Sequence, residues 1–344
     1  MTQRLLVLAG GRSEEHEISI ISTRSLLAAL ESTDIEAQAL VISKTGHLLD
    51  FAASQKALAD GVALSGGGSL ADLAEHAKNA EMVFPLLHGP HGEDGKIQGF
   101  LEELQIPYIG CGVLASAACM DKIIFKHILA SQGLEQVAYC LVTEHMYTSN
   151  QDGVLAKIQN IPAPWFVKPA NLGSSVGISK ARTNQELGTA LDEAFKHDRR
   201  VIVEAGINNV RELEVALLGN QHPKASVVGE ITYDADFYDY ETKYTDGRAQ
   251  LHIPADIPEK LISTIQTLAK EAYTLLDCAG FARADFFYDT QTEKLYLNEI
   301  NTIPGFTPFS MFTKLWGASG ISYDKLVAEL MNLSRERFPQ KGLT

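Results

Sequence analysis

Two stretches set polar side chains two residues apart where buried strands are expected. Arg283 and Asp285 are so spaced in ARADFFYD, and Glu299 and Asn301 in KLYLNEIN. On a strand such pairs share a face. The segment 282–301 reads as a hairpin, and a loop DTQTE centred on Gln291 sets residue 285 opposite 297 and residue 283 opposite 299. Arg283, Asp285, Glu299 and Asn301 then converge, whereas a one-residue slip turns the first pair away. Three oxygen-bearing side chains beside an arginine suit Mg²⁺, and Glu299, between the other two, is placed to bridge two ions ~3.5–4 Å apart. The same stripe also suits a solvent-facing polar face beside a salt bridge.

A second set of residues suits phosphate. VKPANLGSSVGIS puts Lys168 at a strand end, followed by Gly173, Ser174, Ser175 and Gly177. Glycines let backbone N–H groups approach phosphate oxygens, and the hydroxyls add donors. An ordinary hairpin turn would read the same way. No Walker A sequence occurs. Lys122 stands near a helix start in CMDKIIFK. Glu204 ends one strand and Glu212 opens the next in VIVEAGINNVRELEV. The linker between them has backbone groups suited to an adenine edge, and the carboxylates suit its amino group and the ribose hydroxyls. Two surface glutamates are the plainer alternative.

The elements that must position these residues fall into three modules. LLVLAGGRSEEHEISIISTRSLLAAL reads strand, turn, helix, with Ile18, Ile21, Leu26 and Leu30 at helical spacing. Further alternation of strands and helices predicts a parallel α/β domain over 1–120. The first turn lacks G-x-G-x-x-G, so a dinucleotide site has no support. An α+β unit follows over 121–210, with two strands flanking the Gly/Ser loop. Over 211–344 a mostly antiparallel sheet is interrupted by one helix of about 258–277, which Pro258 opens. The length of 344 residues accommodates this division. A net charge of -14 argues against a nucleic-acid partner. Cys111, Cys119, Cys140 and Cys278 lack metal-ligand spacing and read as reduced thiols. The apolar start MTQRLLVLAGG is too short for a signal or a membrane span and reads as a first buried strand, so a cytoplasmic protein is expected.

In chain order, Lys122, Lys168-Pro169, GSSVG, RADFF and NEINTIPGF resemble the D-alanine–D-alanine ligase family of ATP-grasp enzymes. GGRSEEHEIS, HGPHGEDG and YDYETKY are also similar to that family's pattern, and the resemblance covers nearly the whole chain. It implies an ATP-grasp architecture: a parallel α/β domain and two α+β lobes clamping ATP. It implies that Lys122, Lys168, Ser175, Glu204, Glu212 and Lys243 bind ATP, and that Asp285, Glu299 and Asn301 hold two Mg²⁺, which Mn²⁺ can replace. Glu15 would orient the first D-alanine by its ammonium and join Ser174 and Tyr244 in a hydrogen-bonded chain. His88 would lie near the first substrate's carboxylate. Arg283 and the Gly305 N–H would receive an oxyanion, and Ser310 the second substrate's carboxylate. The activity implied is the joining of two D-alanines for peptidoglycan precursors, by a homodimer. Tyr244 favours an amine acceptor over D-lactate. D-Ala–D-Ser and D-Ala–D-lactate ligases, other ATP-grasp ligases and a non-catalytic ATP- or amino-acid-binding regulator are the alternatives.

The chemistry needs these parts. Phosphoryl transfer to a carboxylate is mostly positioning and charge neutralisation. Amine attack then builds an oxyanion, and one preorganised donor to it is worth ~3–4 kcal/mol. An acyl phosphate must be kept dry, so the long polar, aromatic stretch 231–250 reads as a loop over the site. In HGPHGEDG, Glu93 is expected to satisfy backbone or His88, and Asp94 to cap the next helix; a metal site is disfavoured. His16 and Glu17 read as helix-start and surface residues.

Overall fold

The first strand, QRLLVLAG, is an apolar run without alternation, as a strand covered on both faces must be. In the computed structural model, which describes residues 3–173, 176–233 and 249–339, it lies at the centre of a parallel sheet. Strands β1 (Gln3–Gly10), β2 (Ile35–Ile42) and β3 (Met82–Pro85) have the order β2-β1-β3. The second sheet holds β4 (Tyr139–Thr143), β5 (Trp165–Pro169), β6 (Ser179–Ala181) and β7 (Arg200–Ala205) in the antiparallel order β4-β7-β5-β6. The third holds β8 (Val210–Gly219), β9 (Lys224–Tyr233), β10 (Ala249–His252), β11 (Gly280–Asp289) and β12 (Lys294–Asn301). Its order is β10-β9-β8-β11-β12, again antiparallel. Pro258 precedes the helix Glu259–Leu275, as its fixed φ and missing N–H favour.

The first helix, His16–Leu30, departs from the apolar spacing. Leu26 and Leu30 face inward, but Ile21 is 45% exposed and borders a cavity together with Ile18. The inward side also carries Ser19, Ser22 and Thr23. Ser19 Oγ accepts from Gly10 N at 2.8 Å and donates to the Leu86 carbonyl, and Ser22 Oγ lies 3.3 Å from His88 Nε2. Hydrogen bonds to the end of β1 and to the loop after β3 offset the burial of the two serine hydroxyls.

The first and last parts of the chain share a core. Phe84 on β3 meets Phe281 and Phe306 edge-on, with ring centroids at 5.7 and 5.3 Å. Leu326, Val327 and Leu330 of the helix Tyr323–Arg337 join Leu5 and Val7 of β1 in the same cluster. Ser334 Oγ donates to the Tyr108 carbonyl at 2.9 Å, and Arg337 Nη1 to that of Gly110 at 2.7 Å. The four cysteines are buried and unbridged. Among the described residues no helix is long and apolar enough to cross a membrane.

Candidate active site

The hairpin β11–β12 brings its polar residues together, though by a different register from the one expected. The turn is the four-residue stretch 290–293, not a five-residue loop, so Asp289 pairs with Lys294 and Phe286 with Leu297. Asp289 tightens it by accepting from Gln291 N at 2.9 Å, and Glu293 takes φ 55°. That one-residue shift alone would have turned Arg283 and Asp285 away from Glu299. A bulge at Asn298 adds a second shift, so Asp285 stands opposite Glu299, and Arg283 opposite Asn301.

All four side chains therefore meet. Arg283 donates from Nε and Nη2 to the two oxygens of Asp285 at 2.7 and 2.6 Å, and its Nε lies 2.9 Å from Glu214 Oε2. Asn301 Nδ2 donates to Asp285 at 2.9 Å and to Glu299 at 3.5 Å. Burial works against a charge on Arg283, but Asp285 and Glu214 hold its pKa well above the ordinary value. Glu214 pairs with Asp285 across β8–β11, two residues along β8 from Glu212; that spacing was the signal for it.

These residues border one cavity of about 1110 Å³, which also touches Glu15, His88, Lys122, Lys168, Gly173, Glu204, Glu212, Gly305 and Ser310. Lys168 Nζ lies 2.6 Å from Glu204 Oε2, while Lys126 Nζ lies 2.9 Å from Glu204 Oε1. Lys122 Nζ donates to the Leu172 carbonyl at 2.6 Å, at the start of the Gly/Ser loop. Burial alone would push Glu204 up, but the ammoniums of Lys126 and Lys168 hold it at about 2. Burial opposes charge on Lys168 too, and Glu204 more than offsets it; burial prevails at Lys122, whose pKa falls. Glu212 is pushed up to about 7 by burial and by the charges of Asp285 and Glu299, against the bond it accepts from Tyr233 Oη at 2.5 Å. Asp121 caps the helix Lys122–Ser131 through Ile123 N and Ile124 N and also holds Arg200 and Asn171, fixing the lysine helix against the loop.

On the opposite wall, Glu15 Oε2 lies so close to Gly89 and Gly173 that a Cβ on either would come within 2.7 and 3.1 Å of it. Gly89 also has φ 72°, a left-handed conformation that glycine takes without penalty. His88 is buried, with Nδ1 2.9 Å from the Ile303 carbonyl and 4.0 Å from Glu93. Burial opposes protonation, but the nearby carboxylates of Glu93 and Glu15 raise its pKa. Glu93 thus faces His88 as expected. Asp94 is not the helix cap: Gly95 is, and Asp94 accepts from His91 N at 2.9 Å and Lys96 N at 3.3 Å to tighten the turn before it. Nor is His16 a surface residue. It is fully buried, with Nδ1 2.7 Å from the Gly11 carbonyl and Nε2 accepting from Ala63 N at 3.0 Å. Glu17 pairs with Lys44 at 2.7 Å. Ser310 Oγ accepts from Thr307 N at 3.1 Å beside Gly305. Ser174, Ser175, Lys243 and Tyr244, and most of the stretch 231–250, lie outside the described residues.

The hairpin suits a hard divalent cation. No three His, Cys, Asp or Glu side chains among the described residues would hold a metal by themselves. Asp285, Glu299 and the Asn301 amide supply hard oxygen donors side by side on the hairpin. So small a protein set also suits Mg²⁺, which keeps positions for water and substrate phosphate.

Two antiparallel sheets, one presenting lysines and the other carboxylates to a common cavity, behind a parallel α/β domain, define an ATP-grasp enzyme. The comparisons narrow this class. Models of the D-ala D-ala ligase N-terminus and C-terminus match residues 4–111 and 128–332, and the chain belongs to the D-alanine–D-alanine ligase family. The D-alanine–D-alanine ligase of Deinococcus radiodurans is 52% identical over 337 residues, covering 98% of this chain and 99% of the relative. Among solved structures, the D-alanine–D-alanine ligase from Coxiella burnetii matches with a TM-score of 0.81 at 33% identity, covering 98% of this chain and 95% of that one. The VanG D-Ala:D-Ser ligase from Enterococcus faecalis matches with a TM-score of 0.82 at 30% identity, over 97% of this chain and 100% of that one.

Proposed function

We propose that this protein joins two D-alanines to D-alanyl-D-alanine at the expense of ATP, for peptidoglycan precursors. The observation that carries the reading is the meeting, in one cavity, of the lysines on Glu204, the carboxylate hairpin and the Glu15–His88 wall. A carboxylate oxygen of the first D-alanine attacks the γ-phosphorus, the bond to the β-phosphate oxygen breaks, and ADP leaves. The amine of the second D-alanine attacks the acyl carbon of the resulting acyl phosphate. Collapse of the tetrahedral species expels phosphate, and the amine loses a proton.

Glu15 orients the first substrate's ammonium and His88 its carboxylate. Lys122 and Lys168 face the phosphates, the 205–209 linker takes the adenine edge, and Glu212 takes the ribose. Arg283, held by Asp285 and Glu214, and the Gly305 amide meet the oxyanion, where each donor is worth ~3–4 kcal/mol. Ser310 receives the second substrate's carboxylate. Asp285, Glu299 and Asn301 would hold two Mg²⁺, or Mn²⁺ in their place, which would supply charge neutralisation for the phosphates. Ser174, Ser175, Lys243 and Tyr244 keep the roles that the family resemblance implies. The reading divides the chain into units 1–120, 121–210 and 211–344 and makes it a cytoplasmic homodimer.

The test is phosphate release from ATP and Mg²⁺ with D-alanine alone, or with D-serine or D-lactate added, with the products identified by mass. Dipeptide from D-alanine alone is expected. Release only with D-serine would favour the second acceptor, a reading supported by the likeness to a D-Ala:D-Ser ligase. ATP binding without release under any condition would favour a non-catalytic regulator.

A further inference from the structure

Lys126 has no role in the scheme above. It lies one turn after Lys122 on the same face of the helix Lys122–Ser131 and is only 1% exposed. Its Nζ is 2.9 Å from Glu204 Oε1 and 5.5 Å from the centre of the Tyr139 ring. Glu204, itself 3% exposed, holds Lys168 with its other oxygen at 2.6 Å. One carboxylate is thus gripped by an ammonium on each side. A buried charge with a single partner is costly to leave unmatched, and two opposite charges alone would cancel. The second ammonium changes that balance. It leaves one unit of positive charge on the trio, and it fixes the carboxylate and therefore the position of the Lys168 Nζ.

We propose that Lys126 is a positioning residue for ATP: acting through Glu204, it sets Lys168 against the phosphates and leaves the trio with a surplus positive charge. The carboxylate of Glu204 then works inward, on the lysines, and the linker after it is left to meet the base. The inference rests on the nucleotide reading of this cavity.

The experiment compares wild type, Lys126→Met, Glu204→Gln and the double variant. It reads ATP–Mg²⁺ affinity by calorimetry, the KM for ATP and for D-alanine, and Tm. Lys126→Met is expected to weaken ATP about tenfold or more while the KM for D-alanine stays within about twofold, a split that general loss of structure would not give. The double variant is expected to bind ATP within about twofold of Glu204→Gln alone, because without Glu204 Lys126 has no route to Lys168. Unchanged ATP affinity in Lys126→Met, or losses that add in the double variant, would overturn the proposal. Should Lys126→Met alone not fold, Lys126→Gln, which is neutral but can still donate to Glu204, is read for the same split between ATP and D-alanine, and an unmoved ATP affinity there overturns the proposal. A wild type that binds no ATP would overturn the nucleotide reading and this inference with it. Intact wild-type binding with an unmoved variant overturns the inference alone.

Discussion

Replacing Glu299 by Gln removes one negative charge and nearly preserves the side chain's shape. Loss of turnover by more than about 100-fold is expected, with Tm close to wild type, checked by phosphate release and calorimetry; near-normal activity would refute the metal role. Glu204 predicts a pH dependence. Its pKa falls from an ordinary 4.5 to about 2 in the folded protein, so the unfolded chain binds the proton more tightly. The stability it contributes is complete above pH 4.5 and drains away as pH falls toward 2. Wild type should therefore lose more stability than Glu204→Gln across that window in denaturant titrations. Arg283, Asp285, Glu299 and Asn301 were legible in the sequence because a strand has period two. Lys126 was not singled out: most helix lysines are solvated, and its partner lies on a strand far along the chain. His16 opens the first helix as expected, but its burial was not legible, because its partners, Gly11 O and Ala63 N, are backbone atoms of loops that no side-chain pattern marks.

At the level of elements, the parallel first sheet and most strands of the two antiparallel sheets followed from apolar runs and their punctuation, whereas β4 and the two helices after β12, Met311–Ala318 and Tyr323–Arg337, did not. Nor did the register of β11–β12. A symmetric loop is the simplest reading of DTQTE, whereas the shorter turn and the Asn298 bulge reach the same face by two compensating shifts. The first helix was also read only in part, since its inward serines are held by loop backbone rather than by apolar packing. The close approach of Glu15 to Gly89 gives a prediction at this scale. Gly89→Ala adds a Cβ 2.7 Å from Glu15 Oε2 at a left-handed φ. It should destabilise by about 1 kcal/mol or more and raise the KM for D-alanine more than that for ATP. Equal shifts in both KM values would argue that the wall is not part of the substrate pocket.

For the molecule as a whole, the shared core matters most. Phe306 is fully buried between Phe84, Phe281 and Phe312. Phe306→Ala should cost about 3–5 kcal/mol. Because its neighbours come from both ends of the chain, amide exchange in β1 and in the helix Tyr323–Arg337 should accelerate together. Acceleration confined to the C-terminal helix would show that the two ends are not one cooperative unit. That junction also has a consequence in time. During synthesis, the core that holds Leu5 and Val7 of β1 must wait for roughly 300 further residues before the last helix that completes it exists, a delay of ~15–60 s at ~5–20 residues per second. Through that interval the N-terminal share of this core, Phe84 included, stands without the late phenylalanines and the last helix that complete it, and it is then that the nascent chain is most exposed to wrong partners and has most to gain from a chaperone.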